Sequence, residues 1–370
     1  MKVIALVAAS VLLVAACGVD ENPGGGSGGD AGSGGDAGSG GDAGAGSPVP
    51  ERVFGVTVTD PWVAETLPAE LTNRLDGLVR AGDRLPTARV VFDEGVDQIF
   101  TASGIDALAY VTPVQNISVH ARIMGELLDS LFVLDYSVAQ YRARACEYRA
   151  TLGHLVDVWE IGNEINGEWL GSDLIDKLDA ATQVFVADAA GFAAICPGFS
   201  LQPAEKAQAI ALTLYYNGPH NGGVASADNC WEQPEHAMDQ WANAHFAIAG
   251  STGTESIKPH VDYVLVSYYE DDCEGIQPVW QTVFDQLGEI FPAARLGIGE
   301  CGTTLAAQKV SYGQRYYHGM DSSEPEFANM AVDHPRFVGG YFWWYFNDDL
   351  SNEPLYDVLQ SSLGNPFWAL

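Results

Sequence analysis

The chain has 370 residues, 47% hydrophobic and 11% aromatic, which is ample for a large buried core and excludes a chain disordered throughout. Its 49 acidic and 17 basic residues leave a formal charge of −32, which argues against nucleic acid or an anionic membrane as partner and disfavours strongly anionic substrates. Neither a calcium-loop pattern nor a zinc-ligand spacing occurs, so no metal and no organic cofactor is expected.

The chain opens with Met1-Lys2, an apolar run from Val3 to Ala16, and the small residues Val14-Ala15-Ala16 directly before Cys17. That run is too short to span a membrane comfortably. It resembles the lipobox of bacterial lipoproteins, which implies that residues 1–16 are a removed signal and that Cys17 carries lipid as the first mature residue. An ordinary cleaved secretory signal with an incidental cysteine shares the pattern, and both export the chain. The expectation is a protein of the bacterial cell envelope, held at the outer membrane or cell surface only by its lipid, or otherwise secreted. Residues 17–50 then cycle through Gly, Ser, Asp and Ala, a flexible tether with too little apolar surface to order itself.

Residues 51–370 read as one folded domain. Eight β-branched or aromatic runs alternate with helical patterns: Val53 to Val58, Ala88 to Phe92, Ala121 to Leu127, Val156 to Ile161, Ala209 to Tyr216, Val261 to Tyr268, Ala294 to Gly299 and Phe337 to Trp344. Helices are expected over Ala64 to Ala81, Val138 to Leu152, Leu174 to Ala190 and Pro278 to Phe291. Eight such units fit the α/β class as a closed (β/α)₈ TIM barrel. An open doubly wound sheet is the alternative, but the first βα turn has no Gly-x-Gly-x-x-Gly. Nothing marks a dimer surface, so a monomer is the default.

Such barrels gather their sites at the C-terminal ends of the strands. The fourth run ends Trp159-Glu160-Ile161-Gly162-Asn163-Glu164, and the seventh ends Gly297-Ile298-Gly299-Glu300-Cys301-Gly302. Carboxylates on these two rims face each other across the mouth, and two opposed carboxylates about 5 Å apart are what retaining glycoside hydrolysis requires. The pattern resembles the clan A glycoside hydrolases, in which an Asn-Glu pair ends strand four and a second Glu ends strand seven. The likeness covers the strand order of the whole domain; its specific part is Glu160 to Glu164, Gly299-Glu300 and a few aromatics. It implies a retaining hydrolase of an extracellular poly- or oligosaccharide, with Glu164 as acid/base and Glu300 as nucleophile. Glu164 must then be protonated and Glu300 ionised, so their surroundings must differ.

The same resemblance implies that Asn163 binds the sugar 2-hydroxyl, although an asparagine there also suits a helix cap or turn. It implies a tyrosine on the nucleophile, for which strand alternation selects Tyr269 over Tyr268; Ser267 stands where the family usually has histidine. Trp344, in the aromatic end of the eighth run, would floor the sugar site or simply pack. Arg89 resembles the arginine beneath the nucleophile, or is a surface residue paired with Asp83 or Asp93. Trp169, with Trp62, Glu126 and Asp129, falls where subsites would be lined. After Cys17 five cysteines remain, so at least one is unpaired; Cys230 and Cys273 are expected to staple two loops, and Cys301 to be packed. A carbohydrate-binding protein that has lost turnover, and a transglycosylase, are the alternatives. A serine hydrolase is disfavoured because no Gly-x-Ser-x-Gly occurs.

Overall fold

The computed structural model describes residues 51–93, 106–218, 230, 231, 233–272, 278–319 and 330–369. The expected signal, Cys17 and the tether lie outside them. Eight strands are present: β1 (Val53–Val58), β2 (Thr87–Val91), β3 (Arg122–Glu126), β4 (Val158–Gly162), β5 (Ala209–Tyr215), β6 (Tyr263–Ser267), β7 (Arg295–Glu300) and β8 (Phe337–Trp343). They pair in sequence order, all parallel, and β8 closes on β1. Each of the eight expected runs holds one strand.

The strands are apolar on both faces because both are covered. One set of alternate residues, including Met124, Val158, Ala211, Leu265 and Phe342, fills the barrel interior. The other, including Ile123, Trp159, Ile210, Val264 and Ile298, packs outward against the helices. The expected helix Val138–Leu152 is present, and its start is fixed by a capping box between Ser137 and Gln140. The expected helix from Ala64 is broken into Val63–Thr66 and Pro68–Asp76, because Pro68 lacks the N–H that would continue the first turn. The one from Leu174 ends at Val186, and Asp188 caps a new helix, Ala189–Ile195, by accepting from the Gly191 N–H.

Strict alternation along β7 would turn Glu300 away from the interior, since Gly297 and Gly299 face Leu265 and Thr213 inside. The pairing with β6 skips a residue here: Val266 faces Ile298 but Ser267 faces Glu300. That irregularity re-aims the Glu300 side chain toward the mouth, a common use of a bulge at a barrel rim. A similar skip follows Glu160 in β4. Glu164 itself sits at φ 47°, a left-handed conformation that costs a non-glycine residue about 1–2 kcal/mol.

The cysteines depart from expectation in one respect. Cys146, on the helix Val138–Leu152, is bonded to Cys196, a pair the sequence reading did not select. Helix packing brings them together across 50 residues, with Cα atoms 5.5 Å apart. Cys230 is disulfide-bonded, and Cys273, the partner expected for it, lies outside the described residues. Cys301 is free and buried, as read. Replacing Cys146 and Cys196 together by serine should lower stability in urea unfolding by about 2–4 kcal/mol, because closing a loop of this length removes denatured-chain entropy; a variant as stable as the parent would contradict that role.

Candidate active site

The upper interior of the barrel is charged. Arg89, from the middle of β2, is fully buried and reaches three glutamates. It donates to both oxygens of Glu160 at 2.5 and 3.0 Å, and its Nη2 lies 3.1 Å from Glu126 and 2.8 Å from Glu300. The surface reading of Arg89 is therefore set aside: its position in the strand is an inward one, and its length carries the guanidinium up to the rim. Burial alone would lower its pKa, but the three carboxylates more than offset that, and Arg89 is held well above its ordinary value.

One guanidinium cannot neutralise three carboxylates. Glu126, fully buried and with neither oxygen hydrogen-bonded, is pushed well up by burial against the pull of Arg89. Glu160 is also raised by burial, but Arg89 and the Thr213 hydroxyl hydrogen-bond it and pull the other way.

Glu300, at the end of β7, accepts three hydrogen bonds and pairs with the Arg89 guanidinium. Oε1 takes Asn163 Nδ2 at 2.6 Å and Arg89 at 2.8 Å. Oε2 takes the Tyr269 hydroxyl at 2.7 Å and the Ser267 hydroxyl at 3.2 Å. Such a surround suits a carboxylate, which is acceptor-only when ionised. Tyr269 faces the site as alternation implies, while Tyr268 packs outside the barrel against Trp280. Asn163 contacts Glu300 and serves as no cap, and its Oδ1 is buried without a partner.

Glu164 meets a different environment. Its Oε2 accepts from Ser130 at 2.8 Å and its Oε1 lies 2.8 Å from the Ser267 hydroxyl. No cation touches it among the described residues, and burial followed by the Glu300 charge pushes it up to about 8. The Ser267 oxygen thus lies between the two glutamates. Their facing oxygens can be no farther apart than those two contacts end to end, about 6 Å, less than the roughly 6.5–9.5 Å that leaves room for a water between the carboxylates of an inverting site.

Aromatic walls flank the pair. Trp344, half-buried just past β8, has its ring centroid 5.3 Å from the Arg89 guanidinium. Trp169 packs edge-on to Tyr215 at 5.8 Å, and Trp231 lies on the other side of Tyr215 at 5.6 Å. Trp62 packs on Tyr110, and Asp129 caps the short helix Ser130–Val133, where its charge adds to the raising of Glu164. Sequence reasoning missed Ser130, Thr213, Tyr215 and Trp231, and left Glu160 without a role. Alternation flags Glu160, an acid at an inward strand position; nothing local distinguishes Ser130 from any other loop serine.

No protein-family model and no curated protein sequence matches the chain. Among solved structures it is similar to the virulence factor SghA of Agrobacterium tumefaciens, with a TM-score of 0.51, 11% identity, and coverage of 85% of this chain and 97% of that one. It is also similar to an endo-1,4-beta-mannanase of Rhizomucor miehei, at 0.48, 11%, 85% and 96%, and to Gas2p of Saccharomyces cerevisiae bound to laminaritriose and laminaritetraose, at 0.46, 10%, 85% and 64%. Identities this low speak to the fold, and the chain shares with SghA the closed eight-stranded barrel architecture.

Proposed function

We propose that the protein is a retaining glycoside hydrolase acting outside the cytoplasm on a poly- or oligosaccharide, with Glu164 as acid/base and Glu300 as nucleophile. The observation that carries this reading is the contrast between two glutamates bridged by one hydroxyl: Glu300 takes three hydrogen bonds and the Arg89 ion pair, while Glu164 lacks a cation and is raised to about 8. In the first step Glu164 gives its proton to the glycosidic oxygen as that bond breaks, and a Glu300 oxygen bonds the anomeric carbon. In the second, Glu164 takes a proton from water, whose oxygen bonds the anomeric carbon and releases Glu300. The unpartnered Asn163 Oδ1 is placed to accept from a sugar hydroxyl, and Trp344 beside Arg89 offers an apolar face to the ring. The export signal that would place this activity in the cell envelope rests on the sequence of residues 1–17.

Ser267 is a positioning residue in this scheme. A hydroxyl has one proton, so it cannot donate to both glutamates at once. With Glu164 protonated, Glu164 donates to Ser267 and Ser267 donates to Glu300. Once Glu300 is esterified and Glu164 ionised, the hydroxyl turns and donates to Glu164. It thereby follows the negative charge through both steps, in the place where the resembling family usually carries histidine.

Sugar release from a panel of polysaccharides and aryl glycosides should be seen with the full chain and fall by at least about 10³-fold in Glu300→Gln. Glycan binding by both forms without release from either would replace this reading with a non-catalytic one. Because the acid must be protonated, kcat/KM should fall as pH rises through about 8; an alkaline limb near pH 5 would refute the assignment of Glu164. Ser267→Ala should lower kcat/KM by about 10- to 100-fold, the worth of a hydrogen bond to a charged group. It should also move the alkaline limb upward, since the Ser267 hydrogen bond lowers the Glu164 pKa. Ser267→Thr, which keeps the hydroxyl, should restore both; an unmoved limb in Ser267→Ala would leave Ser267 a packing residue.

A further inference from the structure

The opposite end of the barrel carries a concentration of positive charge that the net charge of −32 conceals. Arg52, Arg80, Arg122 and Arg295 line one pocket of about 120 Å³ at the N-terminal mouth, with Glu51 and Tyr263. Arg122 and Arg295 are the first residues of β3 and β7. Each stands two positions before an interior residue, Met124 and Gly297, so both belong to the inward-facing set at the mouth.

Other basic residues at this end have structural duties. Arg336 donates to the carbonyls of Gly288 and Phe291 where the helix Trp280–Ile290 ends, Lys258 to Phe246 O, and Lys206 to Asp157. In the pocket group, Arg52 donates to Phe337 O and lies over the Phe367 ring, and Arg80 reaches Leu85 O. Arg80 is buried, with Nη1 on Arg52 O and Nε without a partner. Arg295 meets the Tyr263 hydroxyl at 3.0 Å. Glu51 is the one carboxylate lining the pocket among the described residues, and it stands 3.8 Å from both Arg80 and Arg122, beyond hydrogen-bond reach. Burial, with Arg84 and Arg122 adding repulsion, brings Arg80 down to about 10 despite Glu51.

Four guanidiniums against one carboxylate leave an excess of positive charge around this space of about 120 Å³. They converge from four separate places in the fold. A planar carboxylate presents two oxygens in one plane, whereas a tetrahedral dianion presents oxygens toward several donors at once and matches the excess charge better. We propose that this pocket binds a phosphate group, as inorganic phosphate or as a phosphate monoester, at the barrel end opposite Glu164 and Glu300.

Calorimetric titration of the full chain with inorganic phosphate at constant ionic strength should show one site per chain. Arg122→Ala/Arg295→Ala, which removes two exposed side chains, should weaken it by at least about tenfold while the thermal unfolding curve shows the variant folded. Glu51→Gln, removing the one carboxylate that lines the pocket among the described residues, should tighten it. A second arm measures co-sedimentation with phosphatidylcholine vesicles with and without phosphatidic acid. Binding to those vesicles alone, lost in the double arginine variant, would identify a lipid phosphate monoester as the ligand. Absence of binding in both arms, or binding unchanged by the arginine substitutions, would overturn the proposal.

Discussion

A single buried cation organises the upper half of this barrel. Arg89 gives two hydrogen bonds to Glu160 and also contacts Glu126 and Glu300, so three acids are gathered around one guanidinium. Desolvation makes each buried carboxylate costly, and the cation offsets that cost only for those it serves directly. Glu160 takes its Nε–Nη2 edge, Glu300 lies against the same Nη2, and Glu126 is pushed well up by burial. The difference between Glu300 and Glu164 follows from reach: the arginine extends to the rim of β7, and Glu164 lies beyond it with only hydroxyls for company.

Departures from regular geometry cluster at this site. The skipped pairing in β7 turns Glu300 inward, a second skip follows Glu160, and the left-handed backbone at Glu164 sets the direction of its side chain. Regular strands would bury Glu300 against the helices. The surrounding barrel, packed outward on apolar faces against the helices and apolar in its lower interior, supplies the stability that lets these local costs persist. Ser267 gains its place from the same irregularity, because it is the residue that the skip sets opposite Glu300.

The two ends of the barrel carry opposite electrical characters. The C-terminal mouth holds the glutamates just described, while the N-terminal mouth holds a pocket with four arginines. Helices of a (β/α)₈ barrel run opposite to its strands, so their C-terminal carbonyls collect at the N-terminal end and draw basic side chains there. That accounts for Arg336 and Lys258. It leaves the inward-facing Arg122 and Arg295 unexplained by capping, since neither is bonded to a helix end in the contacts described.

The sequence alone determined the architecture and the two principal acids. Eight apolar runs separated by helical patterns leave few arrangements but a closed barrel, and the ends of the fourth and seventh runs mark where Glu164 and Glu300 must emerge, because periodicity and strand order are properties of the chain itself. The choice of Tyr269 over Tyr268 came from the same alternation, and the structure places Tyr269 on Glu300. What the tertiary structure decided was everything that joins distant elements. Whether Arg89 was an interior cation or a surface residue depended on partners from β3, β4 and β7. The Cys146–Cys196 bond depended on helix packing that no spacing encodes. Ser130 and Ser267 became partners of Glu164 only because three strand ends converge at one rim, and hydrogen bonds depend on positions in space to within tenths of an ångström, which a one-dimensional pattern does not specify.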